Sequence, residues 1–377
     1  MAVTLIDSWR GVATALLLGA LPFAVIAAPP KDRVRGGVTL DNSSIQLLGR
    51  SQLATKLALA NPTGLKDQLA LDLSSTPEQL SSRERSQSAG VSWNVPWRDY
   101  TLSLSVGRNR LAQKVQGPTV QFLASSQSDN VDVRLQRTVW SSRASRLGLY
   151  TALASRSAES FAGDDGTSPQ RDGSTALSVG MDFRHQFSRH TLLLQLGHKR
   201  GIYRRGAQGD PPDAGRGGPT LRPRTWLLGT TFSGPLRAAK AGAQPVNFSS
   251  SARVQYTARR ALGVDQFAIG GPGSVRGFDG QTVLAAESGA VWRNEFITPV
   301  VLPKLPLAAA FLALDCGRVW GPSAVALAGR YLAGLAVGLR GRAGAIAYDF
   351  GLGTPLSRPD GFRSRVVSLH TNVAFAF

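Results

Sequence analysis

Apolar and polar residues alternate with a period of two along most of this chain. Leu53, Thr55, Leu57 and Leu59 share one parity, and Ala54, Lys56 and Ala58 the other. Ala89, Val91, Trp93 and Val95 oppose Ser88, Gly90, Ser92 and Asn94, while Val131, Val133 and Leu135 oppose Asp132, Arg134 and Gln136. Leu177, Val179, Met181 and Phe183 oppose Ser178, Gly180, Asp182 and Arg184, and Ala252, Val254 and Tyr256 oppose Arg253, Gln255 and Thr257. This is the period of a β-strand with one apolar face, so the pattern predicts an all-β protein. A soluble sandwich also alternates, but it hides its apolar face between sheets and needs far less polar length. The connections separate the two architectures. Ser141–Ser145 and Ser188–His190 are short, whereas Glu159–Gly173 and Tyr203–Arg224 are long and rich in Gly, Pro, Asp and Arg. Transmembrane barrels show this asymmetry, with apolar residues towards lipid and polar ones towards the lumen. Lys56, Arg134, Arg184 and Arg253 are therefore expected to face the lumen.

Composition changes this picture little. The 377 residues carry 43 Lys and Arg against 24 Asp and Glu, a formal charge of +19. Such an excess suits nucleic acid or anionic membranes, but many of the arginines recur at alternate strand positions rather than in one basic helix or tail, which argues against nucleic acid. A single cysteine, Cys316, allows neither an intramolecular disulfide nor a Cys-rich metal site. The apolar run Gly11–Ala28, closed by small residues, reads as a secretory signal over 1–28. Whether it is cleaved or kept as an anchor, the chain after it leaves the cytoplasm. A linker over 29–34 then leads into a barrel over 35–377.

One stretch breaks the alternation. Ile269-Gly270-Gly271-Pro272-Gly273-Ser274-Val275-Arg276-Gly277-Phe278 cannot be a helix or strand interior. It lies within an interval, 259–288, far longer than the usual connection of about 4–6 residues. Eleven strand-like segments precede it and five follow, giving sixteen. With a periplasmic N-terminus, the odd number before it puts this loop outside.

The tip Val275-Arg276-Gly277-Phe278 resembles the sixth extracellular loop of two-partner secretion transporters, which belong to the superfamily of BamA-like barrels. Three further stretches carry the resemblance: the turn Asn61-Pro62-Thr63-Gly64-Leu65-Lys66-Asp67, the strand through Arg293-Asn294-Glu295, and Asp315-Cys316-Gly317-Arg318-Val319. The resemblance implies that the loop folds into the lumen and that Arg276 pairs with Asp315 in the Asp-x-Gly317 strand. Arg293 and Glu295 would face the same lumen. From the residues alone, an exposed Arg on a loop and a hydrated lumen Asp remain open. The last strand ends with Phe375 and Phe377 on its apolar face, resembling the signal by which outer-membrane barrels are recognised for insertion. Relatives of this kind carry a plug helix and two POTRA domains before the first strand, for which the short linker leaves no space; a truncated gene, a misplaced start and a genuine short form all stay open.

The four histidines show no metal-ligand spacing. The glycines do not form a dinucleotide fingerprint, and Pro272 stands where a nucleophile elbow around Ser274 needs Gly. No cofactor, metal or enzymatic activity is expected, although a Ser/His pair assembled across strands stays open. The resemblance implies an outer-membrane protein of a Gram-negative bacterium that exports a large haemolysin- or adhesin-like exoprotein without ATP. Its partners would be that cargo, outer-membrane lipid and lipopolysaccharide, and the barrel-assembly machinery. A barrel-insertion factor and a diffusion porin are the alternatives.

Overall fold

The computed structural model describes residues 33–377 except 43–50, 77–84, 117–120, 163–169, 204–208, 211, 213, 215–216, 238–243 and 304. The segment expected to be a secretory signal, and residues 29–32 of the linker, lie outside the described residues, while Val34, expected to end the linker, already opens the first strand. The strands in chain order are β1 (Val34–Asp41), β2 (Gln52–Ala60), β3 (Gln68–Ser75), β4 (Arg85–Trp97), β5 (Tyr100–Gln116), β6 (Gln121–Ser141), β7 (Ser145–Ala162), β8 (Gln170–Gln186) and β9 (Thr191–Ile202). They continue as β10 (Arg224–Arg237), β11 (Val246–Thr257), β12 (Phe267–Ile269), β13 (Leu284–Ala286), β14 (Ser288–Leu302), β15 (Leu305–Trp320), β16 (Tyr331–Ala343), β17 (Ile346–Ser357) and β18 (Ser368–Ala376). Sixteen of them form a closed antiparallel barrel in which each strand pairs with the next in sequence, β11 pairs with β14, and β18 returns to β1. Only β12 and β13 stand apart, as a two-stranded ribbon inside the long loop.

The register carries the alternation round the whole wall. Opposite Lys56 lies Asp72, opposite that Gly90, then Gly107; the parity that starts polar stays in the lumen. Leu71, Val91, Val106, Val131 and Val133 are exposed on the outer face, as a lipid-facing surface requires. Closure satisfies every strand's backbone partners on both sides, the condition for strands to cross a bilayer. Towards the short-turn end, Trp140, Phe183, Phe187, Phe232, Phe248 and Phe296 form a belt, with Trp140 stacked on Phe183 at 6.5 Å and Phe248 5.1 Å from Phe296. The turn Asn61–Asp67 at that end is knitted shut. Asp67 accepts from Trp93 Nε1 at 2.6 Å and from the Thr63 amide at 3.2 Å.

Two features differ from the sequence reading. β7 runs on to Ala162 and β8 begins at Gln170, with Glu159 opposite Arg171, so much of the loop expected over 159–173 is ladder. At about 3.3 Å per residue, the 21-residue β6 outruns an apolar band ~25 Å tall even when tilted. Above that band both faces meet water, so the alternation fades while the hydrogen-bonded ladder continues; Asp129 takes the outward parity directly after Val131. The second feature is the β12–β13 ribbon, whose three-residue strands are too short to show a period.

Candidate functional site

The loop between β11 and β14 enters the barrel mouth and builds a small soluble-type core there. Phe267, Ile269, Val275, Phe278, Leu284 and Ala286 from the loop pack with Val291, Val319, Leu332 and Phe362. Its neck is tied by Gly280 N donating to Gly270 O at 3.0 Å and by the Ser274 hydroxyl, which accepts from the amides of Gly270 and Gly271. Gly277 turns the chain with φ +105°, a conformation that favours glycine. The barrel wall makes room for this turn: a Cβ on Gly334 would overlap the Arg276 carbonyl oxygen, and one on Gly353 would stand 2.7 Å from the Gly277 nitrogen.

Arg276 meets the wall through every donor except one, the longest of these bonds being from Nη2 to the Asn294 carbonyl at 3.4 Å. Its backbone N–H and Nε donate to Asp315 Oδ2 at 3.0 and 2.7 Å, and Nη2 donates to Oδ1 at 2.7 Å. Nη1 donates to Glu295. The Asp315 side chain has no exposure, and those of Arg276 and Glu295 have 15% and 13%. The charges continue on both sides. Arg293 Nε lies 3.4 Å from Asp315, Arg340 gives Nη1 and Nη2 to Glu295 at 2.7 and 3.1 Å, and Arg340 Nε lies 3.2 Å from Asp349. The result is a chain of alternating sign, Arg293–Asp315–Arg276–Glu295–Arg340–Asp349, running over β14 to β17 with the loop tip at its centre.

Magnitudes decide which part does what. Burying Ile269, Val275, Phe278 and Leu284 contributes on the order of 6–12 kcal/mol of transfer free energy. A buried ion pair contributes little net stability, because desolvation offsets attraction. The apolar core therefore keeps the loop inside, and the ion network fixes where its tip rests.

Four further contacts secure the loop. Phe278 meets Phe362 edge-on at 5.6 Å, and Asp279 Oδ2 accepts from the Arg365 amide at 3.3 Å, both from the β17–β18 connection. Lys199 of β9 pairs with Asp265 at 2.9 Å. Glu287, fully buried, accepts from the Ser323 amide at 3.0 Å and its hydroxyl at 2.5 Å. Burial pushes the Glu287 carboxyl up, but the bonds from Ser323, together with those from the backbone amides of Glu287 and Ala261, outweigh it and hold the group below the ordinary glutamate range.

The site thus brings together Val275, Arg276, Gly277, Phe278, Asp315, Gly317, Arg293 and Glu295, with Arg253 alongside, its guanidinium 5.4 Å from the centre of the Phe267 ring. Other residues singled out from the sequence stand elsewhere. Lys56 pairs with Asp72 at 3.2 Å, Arg134 with Asp182 at 2.5 Å while lying 3.7 Å over Tyr150, and Arg184 is opposite Arg146. Phe375 and Phe377 lie on the outer face. The backbone of Phe377 pairs with Gly36 at 2.8 and 2.9 Å, and its ring fills the space a side chain at Gly36 would need. Sequence reasoning missed Arg340, Asp349, Gly334 and Gly353. Alternation alone could have found the first two, since Asp349 is opposite Arg340 between aromatic Tyr348 and Phe350.

A closed barrel, apolar outside and charged within, defines an outer-membrane protein of Gram-negative type. The family model described as "Haemolysin secretion/activation protein ShlB/FhaC/HecB" matches residues 24–341, and the chain belongs to that family. It is 32% identical over 335 residues to "Outer membrane transporter CdiB-2" of Burkholderia pseudomallei, covering 88% of this chain and 56% of that one. It is 27% identical over 356 residues to "Outer membrane transporter CdiB" of Escherichia coli, covering 93% and 58%. The chain thus spans somewhat over half the length of these relatives, which are named as transporters rather than enzymes. In fold it is similar to CdiB from Escherichia coli, with a TM-score of 0.84 at 24% identity over 93% of this chain and 64% of that chain. BamA from Haemophilus ducreyi shares the fold more distantly, with a TM-score of 0.60 at 12% identity over 91% and 70%.

Proposed function

We propose that this barrel is the translocator of a two-partner secretion pair, passing a large haemolysin- or adhesin-like exoprotein through its lumen without ATP. The carrying observation is a polar lumen entered by a loop that is kept inside by a small apolar core and whose tip is placed by ion pairs on a glycine-lined track, with no strand pairing to the wall among the described residues. Arg276 and Asp315 act as the latch, Val275, Gly277 and Phe278 as its fitted tip, and Gly317 as the clearance beside it, 3.2 Å from Ile269 and Val275 if given a Cβ. Glu295 and Arg293 set the latch's position. Lys56, Arg134, Arg184 and Arg253 hydrate the passage, and Phe375 and Phe377 serve recognition by the assembly machinery. The test is co-expression with a candidate exoprotein of the haemolysin or adhesin type. Cargo should reach the cell surface with the wild-type chain and fall sharply with Asp315→Ala. Equal surface cargo in cells lacking this chain contradicts the proposal.

The resemblance to BamA in fold keeps a second reading, insertion of other barrels, which requires the β1–β18 seam to part. That seam pairs Gly37–Asp41 with Asn372–Ala376 and is extended by Gly36 with Phe377 and by Asn42 with Thr371, so it is about one residue shorter than the eight-residue pairing of β2 with β3.

A further inference from the structure

We infer that Arg200 and Arg224 form a binding site for a phosphate-bearing glycolipid of the outer leaflet. The two residues are direct partners across the β9–β10 ladder, at the end of the barrel where these strands enter the long connection. Both are exposed, and both share the outward parity of the exposed Trp226 and Leu228. Like charges directly opposite on a sheet destabilise it. Among the described residues neither arginine has an acidic or hydrogen-bonding partner, whereas their neighbour Arg222 pairs with Asp210 at 3.0 Å. An external anion resolves the repulsion.

The surroundings say which anion. One step towards the membrane centre, His198, Trp226 and Tyr256 make a continuous row of rings across β9, β10 and β11, with His198 4.6 Å from Trp226. Aromatic rows of this kind sit at headgroup level. Leu177, level with Arg200, and Val179, level with His198, extend an exposed apolar surface beside them. A lipid whose acyl chains lie on this surface places its headgroup phosphates at the arginine pair. The planar guanidinium fork matches a phosphate with two hydrogen bonds, and two adjacent forks favour a headgroup bearing two phosphates.

Native mass spectrometry of the detergent-purified full chain tests this with bisphosphorylated lipid A, the same lipid stripped of phosphate, zwitterionic phosphatidylcholine and inorganic phosphate. One bisphosphorylated lipid should stay bound while the stripped and zwitterionic lipids dissociate. Binding should weaken about tenfold in Arg200→Gln or Arg224→Gln and about a hundredfold in the double variant. Arg137→Gln, on the outer face near the opposite rim, should bind like wild type. Should the double variant not fold, Arg224→Lys keeps the charge but loses the fork and should bind several-fold more weakly. Wild-type affinity in the arginine variants, an equal loss in Arg137→Gln, or displacement of the lipid by inorganic phosphate would overturn the site.

Discussion

Removing Asp315 should release the loop tip more than removing Arg276, although the two form one pair. Asp315→Ala takes away the acceptor of three Arg276 donors and leaves Arg276 and Arg293 facing each other in a site where the carboxylate had no exposure. Breaking a buried pair from one side costs about 3–5 kcal/mol, and the second stranded cation puts this variant at the upper end. Arg276→Ala leaves Asp315 with Arg293 at 3.4 Å and Glu295 with both bonds from Arg340, so its cost lies at the lower end, about 3 kcal/mol. Val275 is fully buried at the tip, and Cys316 is the only cysteine, so Val275→Cys in a Cys316→Ser background reports excursions of the loop through its rate of thiol labelling. Labelling should rise about a hundredfold for Arg276→Ala and further for Asp315→Ala. The loop should still rest mainly inside, since its apolar core is intact. The double variant should label about as fast as Asp315→Ala alone, because both changes dismantle one interaction. Additive effects, or labelling at the parent rate in either variant, would refute the latch.

Gly334→Ala changes no charge but drives a methyl into the Arg276 carbonyl, so it should speed labelling of the same reporter by at least as much as Arg276→Ala; an unchanged rate would mean that the tip does not rest on this track. Gly36→Leu should lower the temperature at which the heat-modifiable gel band shifts to the unfolded position, because the new side chain evicts the Phe377 ring from the seam; a shift at the wild-type temperature would contradict that packing. Glu287 is held below its ordinary value of 4.5, so its clasp on Ser323 is fully formed above about pH 4.5 and is lost as the pH falls through the lower folded value. The melting-temperature difference between wild type and Glu287→Gln should therefore be flat from neutral pH down to about 4.5 and shrink below it, whereas a difference that grows on acidification would reverse the assignment.

The barrel was legible because lipid and water impose one residue-by-residue rule on every strand. The parity of Leu53 against Lys56 or Val254 against Arg253 already assigns the two faces, and counting such segments gives sixteen. Where that rule lapses, legibility lapses too. Residues 159–162 and 170–173 continue β7 and β8, and nothing in the sequence at Glu159 or Arg171 distinguishes ladder from loop. The site was partly legible for a different reason. Four short motifs marked Arg276 and Asp315, whereas alternation marks Arg340 and Asp349 only as lumen charges, and it is the inward fold of the loop against β14 to β17 that draws them into one network. Gly334 and Gly353 carry no chemistry and matter only because a folded loop presses on them, a relation no local pattern encodes.

The central claim is that cargo passes inside the barrel, and the position of a stalled exoprotein measures it most directly. A photo-crosslinking amino acid is placed at lumen positions Lys56, Arg134 and Ser251, at outward positions Val133 and Ala252, and on the outward face at Leu40 in the seam and Leu369 just beyond its upper end. A cargo arrested by a fused fast-folding domain should crosslink at the three lumen positions and at none of the other four. Crosslinks confined to Leu40 and Leu369 would mean that the client leaves through the wall as an inserting barrel does, and would contradict export through the lumen.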